Sequence, residues 1–245
     1  MRDTGVRNIV VSSSAAVYGV PGVMPITESC PADPINPYGE TKLFMERMLA
    51  DFARAHGISW TALRYFNAAG GDPEGETGER HAPETHLIPR ALMALDGKLN
   101  DFHVMGDDYP TPDGTCRRDY IHVSDLAEGH VKAVEFAAAH RGLEVFNLGT
   151  GTPYSVLEIV KAFERNSHVA VKYEFGPRRA GDLPEFWADA GKARTMLGWQ
   201  ARRSLDDMCR DTWNWQKKIP RATARNVLVE SRREAGISRR FRLLF

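Results

Sequence analysis

Residues 8–13, Asn-Ile-Val-Val-Ser-Ser, constrain the fold more than any other stretch of the chain. An apolar run of strand length that ends in small hydroxyl residues suits a strand buried in a parallel sheet. Ligands in open α/β sheets gather at the carboxyl ends of such strands, which places Ser14 near a site. A long loop rich in Pro, Gly and Asp follows from Gly19 to Pro37, and loops of this length usually serve function or lack order. It delivers Tyr38-Gly39-Glu40-Thr41-Lys42 at the start of a helix-like run, introduced by the turn and first-turn proline of Asn36-Pro37. Tyr38 and Lys42 are four residues apart and share one helix face. An ammonium beside a phenol favours the phenolate, and a tyrosine so placed can act as a general base near neutral pH. The spacing alone also fits a chance pair on a solvated helix, and it gains weight from the serines upstream. The helix is predicted to run to about His56, with Leu43, Met45, Met48, Leu49 and Phe52 as its core stripe and Gly57 as its stop.

Further along, 59–66 reads as a strand closed by Asn67, and 68–83 as a Gly/Pro/Glu loop in which His81 is solvated. A helix is predicted from the Pro83–Pro89 segment to about Leu95, then a short strand at 101–105. Ser124 is expected to cap a helix reaching His140, with Asp125 in its first turn where the helix dipole favours an acid. A strand at 145–148 leads into Gly149-Thr150-Gly151, which lacks the third glycine of a dinucleotide fingerprint and reads as a structural turn. Ser155 and Glu158 form a capping box. Residues 169–175 alternate like an edge strand, and two further helices are expected near 189–197 and after Ser204. Two basic pairs stand out, Arg117-Arg118 and Arg178-Arg179, because a guanidinium binds phosphate bidentately. Arg117 reads as a surface charge or as a partner for Asp119.

The 245 residues allow one large domain or two small ones. A formal net charge of zero argues against a nucleic-acid or membrane-surface role. No apolar run approaches a membrane span. The three cysteines, Cys30, Cys116 and Cys209, are far apart and suit a reducing cytoplasm. His86 shows no second ligand at metal spacing, so no metal is predicted.

The stretch IVVSSSAAVYG at 9–19, followed by Pro37-Tyr38-Gly39-Glu40-Thr41-Lys42, resembles the extended short-chain dehydrogenase/reductase family, specifically its UDP-glucose 4-epimerases. The resemblance continues through Arg64-Tyr65-Phe66-Asn67, Glu84-Thr85-His86-Leu87-Ile88-Pro89, Gly106 to Thr111, Arg118-Asp119-Tyr120-Ile121-His122-Val123, Asn147 to Gly151 and Arg178 to Asp182, over roughly residues 1–218. It implies an α/β fold with a partial Rossmann-like parallel sheet and a smaller α/β substrate domain. The sheet part would comprise 1–67 and 124–150, and the substrate part 68–123 and 151–218. A basic tail at 219–245 matches neither and reads as disordered or as a frame artefact.

The implied reaction is NAD-dependent interconversion of UDP-glucose and UDP-galactose through a 4-keto sugar. Ser14, Tyr38 and Lys42 would be catalytic. Ser12, Tyr38, Lys42, Tyr65 and Phe66 would meet NAD. Ser14, Asn67, His86, Leu87, Met105, Arg118, Arg179 and Asp182 would bind the UDP-hexose, with the two arginines clamping its diphosphate. Phe186 replaces a tyrosine found in some members and removes a hydroxyl contact. A homodimer through helices including that of Tyr38 is also in keeping with the family. A related UDP-hexose dehydratase is the neighbouring alternative, but it would want an acidic residue where Ala15-Ala16 stand. Met1 to Val6 reads like a helix end entering a strand, whereas in the family a Gly-x-x-Gly-x-x-Gly turn and about four strands precede this point. The resemblance therefore implies a chain short of its N-terminal cofactor-binding half, expected to bind NAD weakly and to epimerise poorly, or a UDP-sugar binder without redox chemistry.

Overall fold

The computed structural model describes residues 1–218 apart from Ala82, Thr85, Lys98 and Asn100; the basic tail at 219–245 lies outside the described residues. The elements that position the site are β1 (Asn8–Ser12), α1 (Pro37–His56), β2 (Ser59–Tyr65), β3 (Asn67–Ala69), α2 (Leu87–Leu95), β4 (His103–Met105), β5 (Arg117–His122), α3 (Val123–Ala139), β6 (Leu143–Leu148), β7 (Pro153–Ser155), α4 (Val156–Ser167), β8 (Glu174–Gly176), β9 (Glu185–Phe186) and α5 (Leu205–Lys218).

The expected partial Rossmann-like sheet is present as three parallel strands in the order β1-β2-β6, with Val10 opposite Thr61 and Ala62 opposite Val145. Its central strand β2 is buried along Ser59 to Arg64, as a strand covered on both faces should be. One face carries Ile9, Val11, Trp60, Ala62 and Val145 against Leu49, Ala50 and Ala53 of α1. The other carries Val10, Leu63, Phe146 and Leu148 against Ala133 and Phe136 of α3. Ala193, Leu197 and Trp199 join this second cluster, and Trp199 Nε1 donates to the carbonyl of Asp125 at 2.9 Å.

A second sheet runs β3-β5-β7 with β9 on β5, and β4 pairs with β8 alone. Its core packs Leu92 of α2, Ile159 and Phe163 of α4, and Met208 and Cys209 of α5 into one cluster. The capping box holds as expected: Ser155 Oγ accepts from Glu158 N–H at 3.0 Å, and Glu158 accepts from Ser155 N–H at 2.7 Å. Among the described residues no helix is long and apolar enough to cross a membrane.

Four sequence expectations are corrected. The buried face of α1 is Gly39, Leu43, Glu46 and Ala53, whereas Met48 and Phe52 of the expected stripe are exposed, as is Phe44. The cap of α3 is His122, whose Nδ1 accepts from Ser124 N–H at 3.0 Å. Arg117 pairs with Glu185 at 2.7 Å, because Asp119 is already filled by the Thr150 and Gly151 amides, the Thr150 hydroxyl and the Ala188 amide. The edge strand expected at 169–175 is confined to Glu174–Gly176. Gly149 lies against Asp119, where a Cβ would stand 2.5 Å from a carboxylate oxygen, so the turn it opens is structural.

His122 carries a pH dependence. Since its Nδ1 accepts a hydrogen bond, Nε2 holds the proton and faces Asp211 Oδ2 at 3.2 Å. Burial holds the pKa of His122 below its ordinary value, although Asp211 and Asp125 pull the other way and Arg203 adds to the depression. The unfolded chain takes up this proton near pH ~6.5, and the folded chain only at lower pH. Stability is therefore expected to fall as pH drops below about 6.5, because the unfolded state then binds more protons. Thermal unfolding across that window should show the decline, and His122→Gln should flatten it; an unchanged slope would refute the assignment.

Candidate active site

The site is assembled where the chain leaves the first sheet for the second. Strand β2 ends at Tyr65 and β3 begins at Asn67, so Phe66 lies at the junction. A cleft of about 830 Å³ opens there. Ser14, Tyr38, Tyr65, Phe66, Asn67, His86 and Leu87, all singled out from the sequence, line it.

Local geometry explains how residues distant in sequence meet. Ser14 caps a short 3-10 turn, Ala15–Tyr18, by accepting from Ala16 N–H at 3.2 Å. Asn36 caps α1 by accepting from Gly39 N–H at 2.8 Å, with Pro37 in the first turn. Gly39 is what lets the two turns touch, since a Cβ there would stand 2.6 Å from the carbonyl oxygen of Ala16 and 2.8 Å from Pro34 Cβ. The first turn of α1, with Tyr38, thus rests on the turn that Ser14 caps. Lys42 comes back over Tyr38, its Nζ 5.6 Å from the ring centroid, and donates to the carbonyl of Ser12 at 2.9 Å. The ammonium is thereby anchored at the carboxyl end of β1. Tyr38 itself is 53% exposed and open to a ligand.

Ser12 is committed by a neighbour the sequence reading passed over. His130 Nδ1 lies 2.8 Å from the carbonyl of Leu126 and must donate to it, leaving Nε2 as acceptor. The Ser12 hydroxyl, 3.1 Å away, therefore donates to His130. The His130 ring also lies 6.1 Å from that of Tyr65. Phe66 is buried and its ring packs 5.3 Å from that of Phe186. Phe186 packs with Phe66 against the cluster of Val17, Tyr18 and Leu43 and is not among the residues lining the cleft.

The remaining predicted residues fall outside the main cleft. Met105 and Arg179 line a separate cleft of about 310 Å³ with Arg90, Asp101, His103 and Gly176. Arg90, one turn into α2, gives this second cleft another guanidinium. Arg118 is half committed. Its Nη1 donates to the carbonyls of Arg117 and Leu183, at 2.9 and 2.7 Å, and its Nη2 to Asp182 at 3.4 Å. Three of the five N–H donors of the guanidinium are thus engaged and two remain. Asp182, expected to bind the UDP-hexose, accepts from Arg118. Arg178 stacks 4.3 Å over the ring of Tyr109 and donates from Nε to Asp108 at 2.5 Å.

Two groups of residues were not legible in the sequence. Beneath α1, Glu46 and Arg64 form a buried pair at 2.6 Å that also engages Ser13 and Tyr18. At the rim of the cleft, His81 is not isolated: it converges with Glu79, Glu84 and His86. The repeated spacing Glu-x-His at 79–81 and 84–86 is a signal that could have found the second group.

The residues at the carboxyl ends of β1 and β2 are of a kind to hold the nicotinamide end of NAD. The anchored Lys42, the exposed Tyr38 phenol and the Tyr65–Phe66 wall stand together at the carboxyl ends of β1 and β2.

The pattern of the NAD dependent epimerase/dehydratase family matches residues 1–149. A UDP-glucose 4-epimerase of Bacillus subtilis is 51% identical over 219 residues, covering 88% of this chain and 64% of that relative. The crystal structure of a UDP-glucose 4-epimerase from Brucella ovis in complex with NAD superposes with a TM-score of 0.84 at 51% identity, over 86% of this chain and 66% of that one. One from Bifidobacterium longum, in complex with NAD+ and UDP, does so with a TM-score of 0.84 at 45% identity, over 90% and 66%. The chain thus spans about two thirds of the length of these relatives. On the extent of these matches, the chain belongs to the NAD dependent epimerase/dehydratase family.

Proposed function

We propose that the protein serves NAD-dependent 4-epimerisation of a UDP-hexose, interconverting UDP-glucose and UDP-galactose. The observation that carries this reading is Tyr38 and Ser14 lining one cleft, with Lys42 drawn over Tyr38 and fixed to the carbonyl of Ser12.

In this reading Tyr38 Oη removes the proton of the sugar 4-hydroxyl and later gives it back. Lys42, held beside the Tyr38 ring by its bond to the carbonyl of Ser12, would keep its position during that exchange and hold a ribose hydroxyl. Ser14, at the same wall, positions the 4-hydroxyl. Ser12, Tyr65 and Phe66 would hold NAD together with Tyr38 and Lys42, and NAD when bound supplies the acceptor and donor for the hydride of C4. Asn67, His86 and Leu87 would contact the sugar side of the substrate. The second cleft, with Met105, Arg179 and Arg90, would take the diphosphate end, and the two remaining N–H groups of Arg118 would join from beside Asp182. Gripping the diphosphate leaves the hexose free to turn within a cleft of about 830 Å³.

The division into a sheet part, 1–67 with 124–150, and a substrate part, 68–123 with 151–218, belongs to the same proposal, as does a homodimer through the exposed outer face of α1 at Phe44, Met48 and Phe52. A second reading, UDP-sugar binding without turnover, is favoured by one observation: among the described residues β1 has a single strand neighbour, β2.

The deciding experiment mixes the protein with NAD and UDP-galactose, follows formation of UDP-glucose, and measures UDP affinity in parallel. Interconversion supports the first reading. UDP binding with no interconversion moves the assignment to the second, and failure to bind UDP refutes both.

A further inference from the structure

We propose that Glu79, His81, Glu84 and His86 form a binding site for a divalent transition metal of the zinc class, seated on the rim of the main cleft. The proposal does not depend on the epimerase reading, because the site is defined by its own donors.

One ligand atom from each residue lies within 4.8 Å of all the others. Both imidazoles present Nδ1 to the two carboxylates. His86 Nδ1 lies 2.7 Å from Glu79 and 3.2 Å from Glu84, and His81 Nδ1 lies 3.1 Å from Glu79 and 3.7 Å from Glu84. Bonds of about 2.0–2.1 Å to a tetrahedral zinc ion put its donors ~3.3 Å apart. The His–Glu contacts bracket that edge length, both imidazoles meeting Glu79 Oε1, and His86 meeting Oε1 and His81 Oε2 of Glu84. Two imidazole nitrogens and two carboxylate oxygens are a donor set suited to zinc, whereas magnesium and calcium prefer oxygen alone.

The surroundings resemble a built site more than a chance surface cluster. The Glu84 side chain is only 6% exposed, so the surrounding fold restricts where its carboxylate can point. Its carboxylate also accepts from the backbone N–H of His86 at 2.8 Å, which orients it as an outer partner orients a metal ligand. The backbone carbonyl of Glu79 accepts from Trp215 Nε1 at 3.2 Å, tying the other end of the segment to α5. The His81 and His86 rings are 5.1 Å apart and tilted rather than stacked, so both can face one centre.

Four protein donors fill a tetrahedral shell, and closed shells of this kind are structural rather than catalytic. The metal would fasten the segment 79–86 to the start of α2 and fix one wall of the cleft, since Glu79 and His86 both line it. With Nδ1 on the metal, His86 keeps an Nε2–H for a ligand oxygen, so its role at the cleft is retained.

The test uses the full chain, stripped with a chelator and titrated with Zn2+ by calorimetry, and then with Co2+ by visible absorption. The expected result is one Zn2+ per chain and the intense visible bands of four-coordinate Co2+. His81→Ala and Glu84→Gln should each weaken Zn2+ binding by roughly 100-fold or more, beyond the ~10–100-fold that loss of an outer partner costs. His81 is 52% exposed, so its replacement leaves the fold intact and keeps the comparison readable. His103→Ala, in a separate His–Glu pair at 3.7 Å, should change nothing. No stoichiometric binding, or binding that His81→Ala leaves intact, overturns the proposal, as does a Co2+ spectrum with only the weak bands of six-coordination.

Discussion

Tyr38→Phe is expected to lower kcat for UDP-hexose interconversion by roughly 10²–10⁴-fold, the range over which a positioned acid–base group contributes. The change removes one oxygen from a half-exposed side chain whose ring and helix stay in place. Asn36 and Pro37 still start α1, and Lys42 still bonds the carbonyl of Ser12. Folding stability should therefore move by no more than about 0.5 kcal/mol, as for a surface substitution. The affinity for UDP should also hold, because the proposed diphosphate contacts come from Arg90, Arg118 and Arg179. Steady-state rates with NAD present, together with UDP titration, separate these effects. A loss confined to kcat is the signature of an interaction made in the transition state. A variant within about three-fold of the parent would remove Tyr38 from the proton transfer, whatever its position. Lys42→Met offers a companion measurement, since it removes the ammonium while leaving the phenol. It should lower kcat and weaken NAD binding together, which Tyr38→Phe alone should not do.

The parts of this site that the sequence showed are those whose signals are local. Asn36, Pro37 and Gly57 bound α1 because capping and glycine stops act within a few residues. The apolar runs of β2 and β6 announce parallel strands covered on both faces, whereas β1 pairs in parallel as expected but, at the edge of the sheet among the described residues, is only half-buried. Ser14 and Tyr38 followed from their places at a strand end and a helix start, whereas the role of Asn67 came only with the family resemblance. What stayed hidden depends on partners far along the chain. Glu46 lies 18 residues from Arg64, and a charge on the inner face of a helix looks, in sequence, like a charge on the outer one. That is why the expected stripe of α1, right at Leu43, takes in the exposed Met48 and Phe52 and leaves out the buried Glu46. The engagement of Arg118 with Leu183 and Asp182 spans more than sixty residues and carries no periodic trace. His86 looks solitary in the sequence because Glu79, His81 and Glu84 precede the helix that His86 opens and meet it through tertiary geometry.

The buried pair under α1 gives the largest stability effect expected. Arg64 donates to Glu46 from Nε at 3.0 Å and from Nη2 at 2.6 Å, with side-chain exposures of 8% and 5%. Ser13 donates its hydroxyl to the same carboxylate, and the Arg64 guanidinium lies 4.8 Å from the centroid of the Tyr18 ring. Tyr18 passes the network on by donating to Asn147 Oδ1 at 2.7 Å, and Asn147 donates to the carbonyl of Ile26 at 2.9 Å. Burial alone would disfavour the Arg64 cation, but the hydrogen bonds and charge of Glu46 outweigh it and hold the pKa above its ordinary value. Burial pushes Tyr18 up to about 12, so it remains a neutral donor. Glu46→Ala leaves a buried guanidinium without its counter-charge, and breaking such a pair costs about 3–5 kcal/mol. Replacing both members by apolar residues of similar size, Glu46→Leu with Arg64→Met, removes both charges and should cost far less than Glu46→Ala and Arg64→Ala added together. Urea unfolding of the three single and double variants measures the difference. Additivity would mean that the two residues act independently, contrary to the contacts between them. Because this network fixes α1 against β2, Glu46→Ala should also loosen the seat of Tyr38 and Lys42 over the strand ends. The Leu/Met pair, which preserves packing without charge, should keep more turnover than Glu46→Ala, and the reverse order would show that Glu46 serves the site by its charge and not by holding the helix in place.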